Sequence, residues 1–403
     1  MASGDALRAA KRLGLRIAML TDLNLTWQQQ YIDDVINISP YDQQRTIDAI
    51  VDYSERYRLS TVITYDERCV PVTALVRDCL KLSGITYDTA YAARNKFVMR
   101  QRLSEGGLAC PRFGIARTFA EAEQVARDNI YFPLVLKPLF GFASQGVLRL
   151  NCPEELREAF PVVKRIADSH KPFLGDDSYS DYLLLEEYLS GREVAVDGLI
   201  QNGTAHWFGI FDKPDPLEGP TFEETIYVTP SSENPDLQSE ILAEVARGAH
   251  ALGLQTGPLH AELRITNHGL RIIEIGARAI GGVCARAHTY CLGFDYNEYV
   301  LRNALGELVE FEHQECTPSG VMMLPVPGTG RLVDVSGIEE ARNVSGVRDV
   351  FIMAKPGDVI KAFPEQGCYL GFILASGSNT SEVAEILNKS HSCLRFKLEE
   401  AGT

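Results

Sequence analysis

The apolar and polar positions of this chain change period several times. Ala6 to Leu13 has helical spacing, and Leu15–Leu20 (LRIAML) reads as a short strand. Thr46–Tyr57 is helical again, and Thr61–Tyr65 (TVITY) is a β-branched strand running into Asp66-Glu67. Strands separated by helices predict a parallel sheet with crossover helices over residues 1–94. A helix stands where such a domain normally supplies its first strand, so that strand is missing or the domain is abbreviated.

From Asn95 the rhythm changes. Lys96–Leu103 is a short helix broken at Gly106-Gly107, and Thr118-Phe-Ala-Glu121 is a capping box opening a helix through Asn129. Tyr131–Pro138 is a strand followed by the small-residue loop Gly141–Gly146. Leu183–Glu186 is another strand, Ile241–Leu252 a helix, and Leu259–Ile275 a hairpin. Beyond about 310, β-type runs (Ser319–Leu324, Val347–Met353, Tyr369–Ala375) are separated by Gly and Pro turns. The expected units are 1–94, 95–310 and 311–403, with no internal repeat.

Composition narrows the class. With 403 residues, 45% hydrophobic and 23% charged, the chain has the balance of a folded protein with large cores, which excludes disorder. Fifty-four acidic against 39 basic residues give a net charge of -15. That argues against a general nucleic-acid or anionic-membrane binder and favours small-molecule partners. The nine cysteines are odd in number and lack any C-x-x-C pair, which fits free thiols in a reducing compartment. No apolar run nears the roughly 18 residues that span a bilayer, and the first residues carry charge where a signal peptide needs an apolar stretch. A cytoplasmic location is expected.

Three stretches carry chemistry. In the hairpin, strands 261–266 and 270–275 flank Asn267-His268-Gly269, a three-residue turn. A loop centred on 268 pairs 266 with 270, 264 with 272, and 262 with 274. Glu262 and Glu274 then share one face with Cβ atoms roughly 5 Å apart. Carboxylates so placed repel each other unless a cation sits between them, and oxygen ligands that close suit Mg²⁺ held with substrate phosphates. The alternative is an exposed hairpin with two solvated glutamates, and a bulge could slip its register by one. Arg278 follows, just ahead of Gly281-Gly282. It could stabilise anionic oxygens or pair with a structural carboxylate.

Lys137 ends a β-run, where an ammonium is costly to bury without an anion, and precedes a loop small enough for backbone N–H groups to approach phosphate oxygens. It is not a Walker A motif, because no G-K-[ST] follows. The third stretch, Leu183-Leu-Leu-Glu186-Glu187-Tyr188-Leu189-Ser-Gly191-Arg-Glu193, runs an apolar strand into two carboxylates and a turn. Such a hinge could present backbone groups to an adenine, or simply be a hairpin end.

Taken in order, these pieces resemble the ATP-grasp superfamily over about 95 to 310. The C-terminal region, with Val333-x-Val-x-Gly-Ile-Glu-Glu340, Lys355-x-Gly-Asp358 and Gly371-Phe-Ile, resembles the extra module of its L-amino acid ligase branch, which joins amino acids into dipeptides. The resemblance implies an α/β (α+β) ATP-grasp fold with an N-terminal Rossmann-like parallel-sheet domain and a small C-terminal β-rich module. By the same resemblance Lys96 and Lys137 would contact the α- and β-phosphates of ATP. The Gly141–Gly146 loop, with Ser144 and Gly146, would close over them. Glu186 would contact the adenine amino group, the main chain of Glu187 and Leu189 would complete the hinge, and Glu193 would hold the ribose. Glu262 and Glu274 would hold two Mg²⁺ ions, which Mn²⁺ could replace, although the position where many relatives carry a further Asn ligand is Gly276. Arg278 would stabilise the acyl phosphate and tetrahedral intermediate, with Lys137 assisting phosphoryl transfer. Glu224, in Phe222-Glu223-Glu224-Thr225-x-Tyr227, would reach the substrate amino group. His206 and His260 are expected to be structural. Small Gly282 beside Arg278 leaves room for a bulky second amino acid.

The implied activity is ATP-dependent ligation of two amino acids through an acyl phosphate, by a possible homodimer. An alternative is an ATP-grasp carboxylase that activates bicarbonate, and a further one is a non-catalytic nucleotide-binding protein.

Overall fold

The computed structural model describes residues 2–311, 316–367 and 369–400. Near the N-terminus, strands Ala18–Leu20 and Asp34–Ile36 pair in parallel as a two-stranded sheet. Helices Ala2–Arg12 and Gln43–Arg56 accompany them, the second capped by Asp42, whose side chain accepts from the Arg45 amide. Thr61–Tyr65, expected as a further strand, joins no ladder among the described residues. Its β-branched composition favours an extended backbone, but a strand also needs a hydrogen-bonded partner, and this segment has none in the ladders. Two parallel strands with flanking helices are thus present among the described residues.

A four-stranded antiparallel sheet follows, in the order Phe113–Ala116, Leu183–Glu187, Leu134–Pro138, Leu148–Leu150. Helix Pro153–His170 packs Leu156, Phe160 and Val163 onto it. The strand expected from Tyr131 begins at Leu134. Tyr131 takes φ 64, and Pro133 has no N–H for a ladder, so pairing starts beyond both. The capping box forms, Thr118 accepting from the Glu121 amide, and the helix ends in a π-turn over Ala126–Ile130.

The second sheet has eight strands, all with antiparallel neighbours. The order is Gly269–Gly276, Gly257–Thr266, Arg192–Gln201, Thr204–Asp212, Ile226–Thr229, Ser319–Met323, Gly371–Ser376, Val347–Ile352. Helices Lys96–Glu105 and Pro235–Leu252 cover one face through Met99, Leu103, Ile241, Val245 and Leu252. Burying such side chains stabilises by about 1.5–3 kcal/mol each. The three C-terminal strands continue this sheet through the ladder of Ile226–Thr229 with Ser319–Met323, so no break in hydrogen bonding separates residues before 310 from those after it. A small sheet of Val359–Ile360, Gly330–Ser336 and Arg395–Glu399 completes the C-terminal part.

The hairpin differs in detail from its sequence reading. Thr266 pairs with Gly269, so the turn holds two residues rather than three, and Arg264 faces Arg271 instead of Ile272. Gly269, at φ 91, suits the turn end. A bulge at Ile273 then shifts the register back, and Glu262 does stand opposite Glu274. The eight described cysteines are free thiols, and Cys368 lies outside the described residues. Among those residues no helix is long and apolar enough to cross a membrane.

Candidate active site

The two antiparallel sheets face each other across a cleft of about 630 Å³. Of the predicted site residues, all but Gly146 line it. Gly146 turns at φ 74 against Pro138, where a Cβ would come within 3.0 Å.

At one wall the two lysines converge from different elements. Asn95 caps helix Lys96–Glu105 by accepting from the Phe97 and Val98 amides, which sets Lys96 in its first turn. Lys96 Nζ donates to Glu274 Oε1 and to the Gly141 carbonyl, each at 2.9 Å. Lys137 Nζ reaches Glu186 Oε2 at 2.5 Å. Arg100, one turn after Lys96 and fully buried, donates from Nε to Glu186 Oε1 at 2.6 Å and from Nη2 to the Ile273 carbonyl at 2.6 Å. Burial alone would raise the Glu186 pKa, but Arg100 and Lys137 overcome it and hold the carboxyl down at about 2. Burial likewise pushes the Lys137 ammonium below its usual range, against the pull of Glu186. Both Glu186 oxygens are therefore engaged by cations.

The hinge after strand Leu183–Glu187 is built mostly from backbone. The Glu187 amide donates to Arg112 O at 2.9 Å, and the Leu189 carbonyl accepts from Arg264 Nη1. Arg264 sits over both the Tyr188 and Phe222 rings, 5.5 Å from each centroid, and donates to Glu193 Oε2 at 3.2 Å. Ladder pairing explains this, because Arg264 stands opposite Glu193.

Farther along, Lys213 Nζ lies among three carboxylates, 2.7 Å from Glu193, 2.6 Å from Glu224 and 3.4 Å from Glu262. These three acids bring oxygens within 4.8 Å of one another. Burial and the facing Glu262 raise the Glu224 pKa to about 7, against the pull of Lys213, while Lys213 and His260 keep Glu262 well below the usual carboxylate range despite its burial. Tyr227 donates to Glu224 at 2.7 Å. Glu262 and Glu274, on directly opposed ladder positions, face the cleft as hard oxygen donors, and that donor type fits magnesium.

Behind Glu262 lies a buried relay. His260 Nε2 is 3.5 Å from Glu262, His260 Nδ1 is 3.1 Å from Asp197, and His288 Nε2 is 3.1 Å from the other Asp197 oxygen. Burial would lower the His260 pKa, but Asp197 and Glu262 raise it to about 9. Elsewhere on the cleft wall, Arg278 donates twice to Glu67 Oε2, and Glu67 also meets Arg94 at 3.5 Å. Burial notwithstanding, the two arginines hold the Glu67 carboxyl at about 2.

Several of these residues escape the sequence reading. His260, expected to be structural only, lines the cleft and touches Glu262, whereas His206 packs edge-on against Phe311. The alternation His260-Ala-Glu262-Leu-Arg264 signals it, since i, i+2 and i+4 share one strand face. Arg100 is signalled by its i+4 spacing from Lys96. Lys213 and Glu67 carry no local signal, because their partners are distant in sequence.

A four-stranded and an eight-stranded antiparallel sheet gripping a cleft between them is the ATP-grasp arrangement, and residues 130–287 match the ATP-grasp domain family, whose enzymes use ATP with magnesium. Residues 322–399 match the L-amino acid ligase C-terminal domain 2. The chain carries an ATP-grasp domain followed by an L-amino acid ligase C-terminal domain, and so resembles the L-amino acid ligase branch of the ATP-grasp enzymes. The crystal structure of L-amino acid ligase from Bacillus licheniformis superposes with a TM-score of 0.86 at 27% identity, covering 98% of this chain and 96% of that one. Dapdiamide A synthase of Enterobacter agglomerans is 26% identical over 78% of this chain and 74% of its own length. Alanine–anticapsin ligase of Bacillus subtilis (strain 168) is 24% identical over 59% of this chain, a match spanning about half (52%) of that protein.

Proposed function

We propose that this enzyme joins two amino acids into a dipeptide, with ATP converted to ADP and phosphate. A carboxylate does not condense with an amine at neutral pH, because oxide would have to leave. Phosphorylation supplies a better leaving group, and the acyl phosphate so formed is open to attack by the amine of a second amino acid.

The observation that carries this reading is the convergence of Lys96, Lys137, Glu262, Glu274 and Arg278 on one cleft whose far end is closed by the ligase-type C-terminal strands. Lys96 and Lys137 would meet the α- and β-phosphates, with Ser144 and the 141–146 loop above them. Glu187 and Leu189 would flank the adenine, and Glu193, with Arg264 behind it, would face the ribose. Glu186 would contact the adenine amino group while also fixing Lys137. Magnesium, when bound, neutralises phosphate charge, and Glu262 and Glu274 would hold two ions of it, or of Mn²⁺. Glu224 would accept from the substrate ammonium, which would join Lys213 and Tyr227 as donors to that carboxylate. Arg278 would donate to the oxyanion that develops as the amine attacks. Closure of the cleft keeps water from the acyl phosphate. The bicarbonate-activating alternative is less well supported, because the C-terminal match is to the amino-acid ligase module. A homodimer in the cytoplasm completes the proposal.

Phosphate release screened over a matrix of amino-acid pairs, with mass spectrometry of the products, tests it. Dipeptide forming in step with ADP is expected. Phosphate release that needs bicarbonate and no amino-acid acceptor would overturn it.

A further inference from the structure

The Gly141–Gly146 loop is held from three directions. Ala143 at φ 49 and Ser144 at φ 53 stand in the left-handed region, a conformation that side-chain-bearing residues keep only when their surroundings impose it. Phe142 stacks on His170, with ring centroids 5.6 Å apart, and faces the Arg68 guanidinium at 5.7 Å. Arg68 is itself seated over Tyr41 and Phe173.

The third hold comes from the C-terminal part of the chain. The Gly146 amide donates to Pro364 O at 2.9 Å. Gln145 bridges the two sides. Its Nε2 donates to the Glu365 carbonyl at 2.9 Å, and its Oε1 lies 2.9 Å from His170 Nε2. Burial and the nearby Arg94, Lys96 and Arg68 push the His170 pKa down to about 4, so the ring is neutral and its Nε2–H can be the donor. Gly367 packs so closely on Gln145 that a Cβ there would lie 3.0 Å from the amide nitrogen. Two positions after Gly367 in the sequence, Tyr369 lines the cleft beyond the carboxylates, with its hydroxyl 3.5 Å from Glu224.

We propose that Gln145 is a positioning residue coupling the phosphate loop to the acceptor end of the cleft. Through Glu365 it makes closure of 141–146 depend on the seating of segment 362–367, so that the acyl phosphate is shielded only while that segment is in place. The inference rests on the ligase reading given above. Its chemical consequence is specific. When the loop is loose, water attacks the acyl carbon, the bond from that carbon to the phosphate oxygen breaks, and free acid and phosphate return. ATP is then consumed without an amide being made.

The test measures ADP and dipeptide in the same reaction, on the full chain, with the most productive amino-acid pair from the screen. Gln145→Glu keeps an acceptor for His170 but has no N–H for Glu365 O. Gly367→Ala presses on the contact from the other side and serves as a second variant should the first fail to fold. The ratio of ADP to dipeptide is expected to rise about three- to tenfold in each, the range expected for loss of one hydrogen bond. A purely structural role would lower thermal stability and leave that ratio at the wild-type value. A wild-type ratio in both variants, with dipeptide still forming, overturns the coupling. Wild-type enzyme that makes ADP but no amide with any pair overturns the ligase reading itself.

Discussion

Glu67 holds Arg278 through two hydrogen bonds to a single carboxylate oxygen, 2.9 Å from Nε and 2.6 Å from Nη2, across a separation of 211 residues. The N-terminal domain thus sets the position of the guanidinium assigned to the oxyanion. In Glu67→Ala, Arg278 and Arg94 would lose the carboxylate they share, a cost of about 3–5 kcal/mol. A marked fall in melting temperature is expected, with dipeptide synthesis reduced even where the protein stays folded. Calorimetry beside a product assay checks this, and unchanged turnover would show that Arg278 needs no such support.

Acid should act through the same carboxylates. Glu67 and Glu186 are both held at about 2, below an ordinary value of 4.5. A depressed carboxyl pKa means stability that is complete above the unfolded value and is lost as pH falls toward the folded one. The contribution of these two carboxylates to the urea midpoint is therefore expected to be complete above about pH 5 and to decline steeply between about pH 4.5 and 2. A midpoint that stays flat through that window contradicts both ion pairs.

Glu274→Ala removes the proposed metal ligand and the partner of Lys96 together. ADP formation should drop by about two orders of magnitude or more, with the circular-dichroism spectrum unchanged. Arg278→Ala should lower kcat far more than it raises KM, because its partner charge develops only in the transition state. Dipeptide formed at the wild-type rate by either variant refutes the assignment.

Arg100→Lys keeps a positive charge but loses the guanidinium that joins Glu186 to the Ile273 carbonyl. Glu186 would then lean on Lys137 alone and draw it away from the phosphates. KM for ATP is expected to rise about tenfold with a smaller change in kcat. Steady-state kinetics with ATP varied decides the matter.

Gly282 takes φ 61, and a Cβ built on it would lie 3.0 Å from the Phe372 ring. Gly282→Trp should therefore both strain the turn and narrow the range of second amino acids, bulky ones first. Product profiling over an acceptor panel tests this, and an unaltered profile would place the acceptor elsewhere.

How much of this was legible beforehand depended on the range of each interaction. The opposition of Glu262 and Glu274 followed from strand alternation and a tight turn. Its route was different, since a two-residue turn and a bulge at Ile273 cancel each other. The lysines and the glycine loop were readable from their places at strand and helix ends. Glu67, Lys213 and the anchoring of Gln145 were not, because each joins segments that only the folded chain brings together. Thr61–Tyr65 misled because propensity describes a residue's preference, whereas a strand also needs a partner.

The ladder between Ile226–Thr229 and Ser319–Met323 also limits how the chain can be re-engineered. Trimming everything after 310 would not release an autonomous nucleotide-binding unit. It would leave a bare row of amides and carbonyls along Ile226–Thr229, a ready template for sticking to other molecules. Chimeras between relatives should therefore exchange the C-terminal portion together with the strand it zips onto, rather than at the intervening linker.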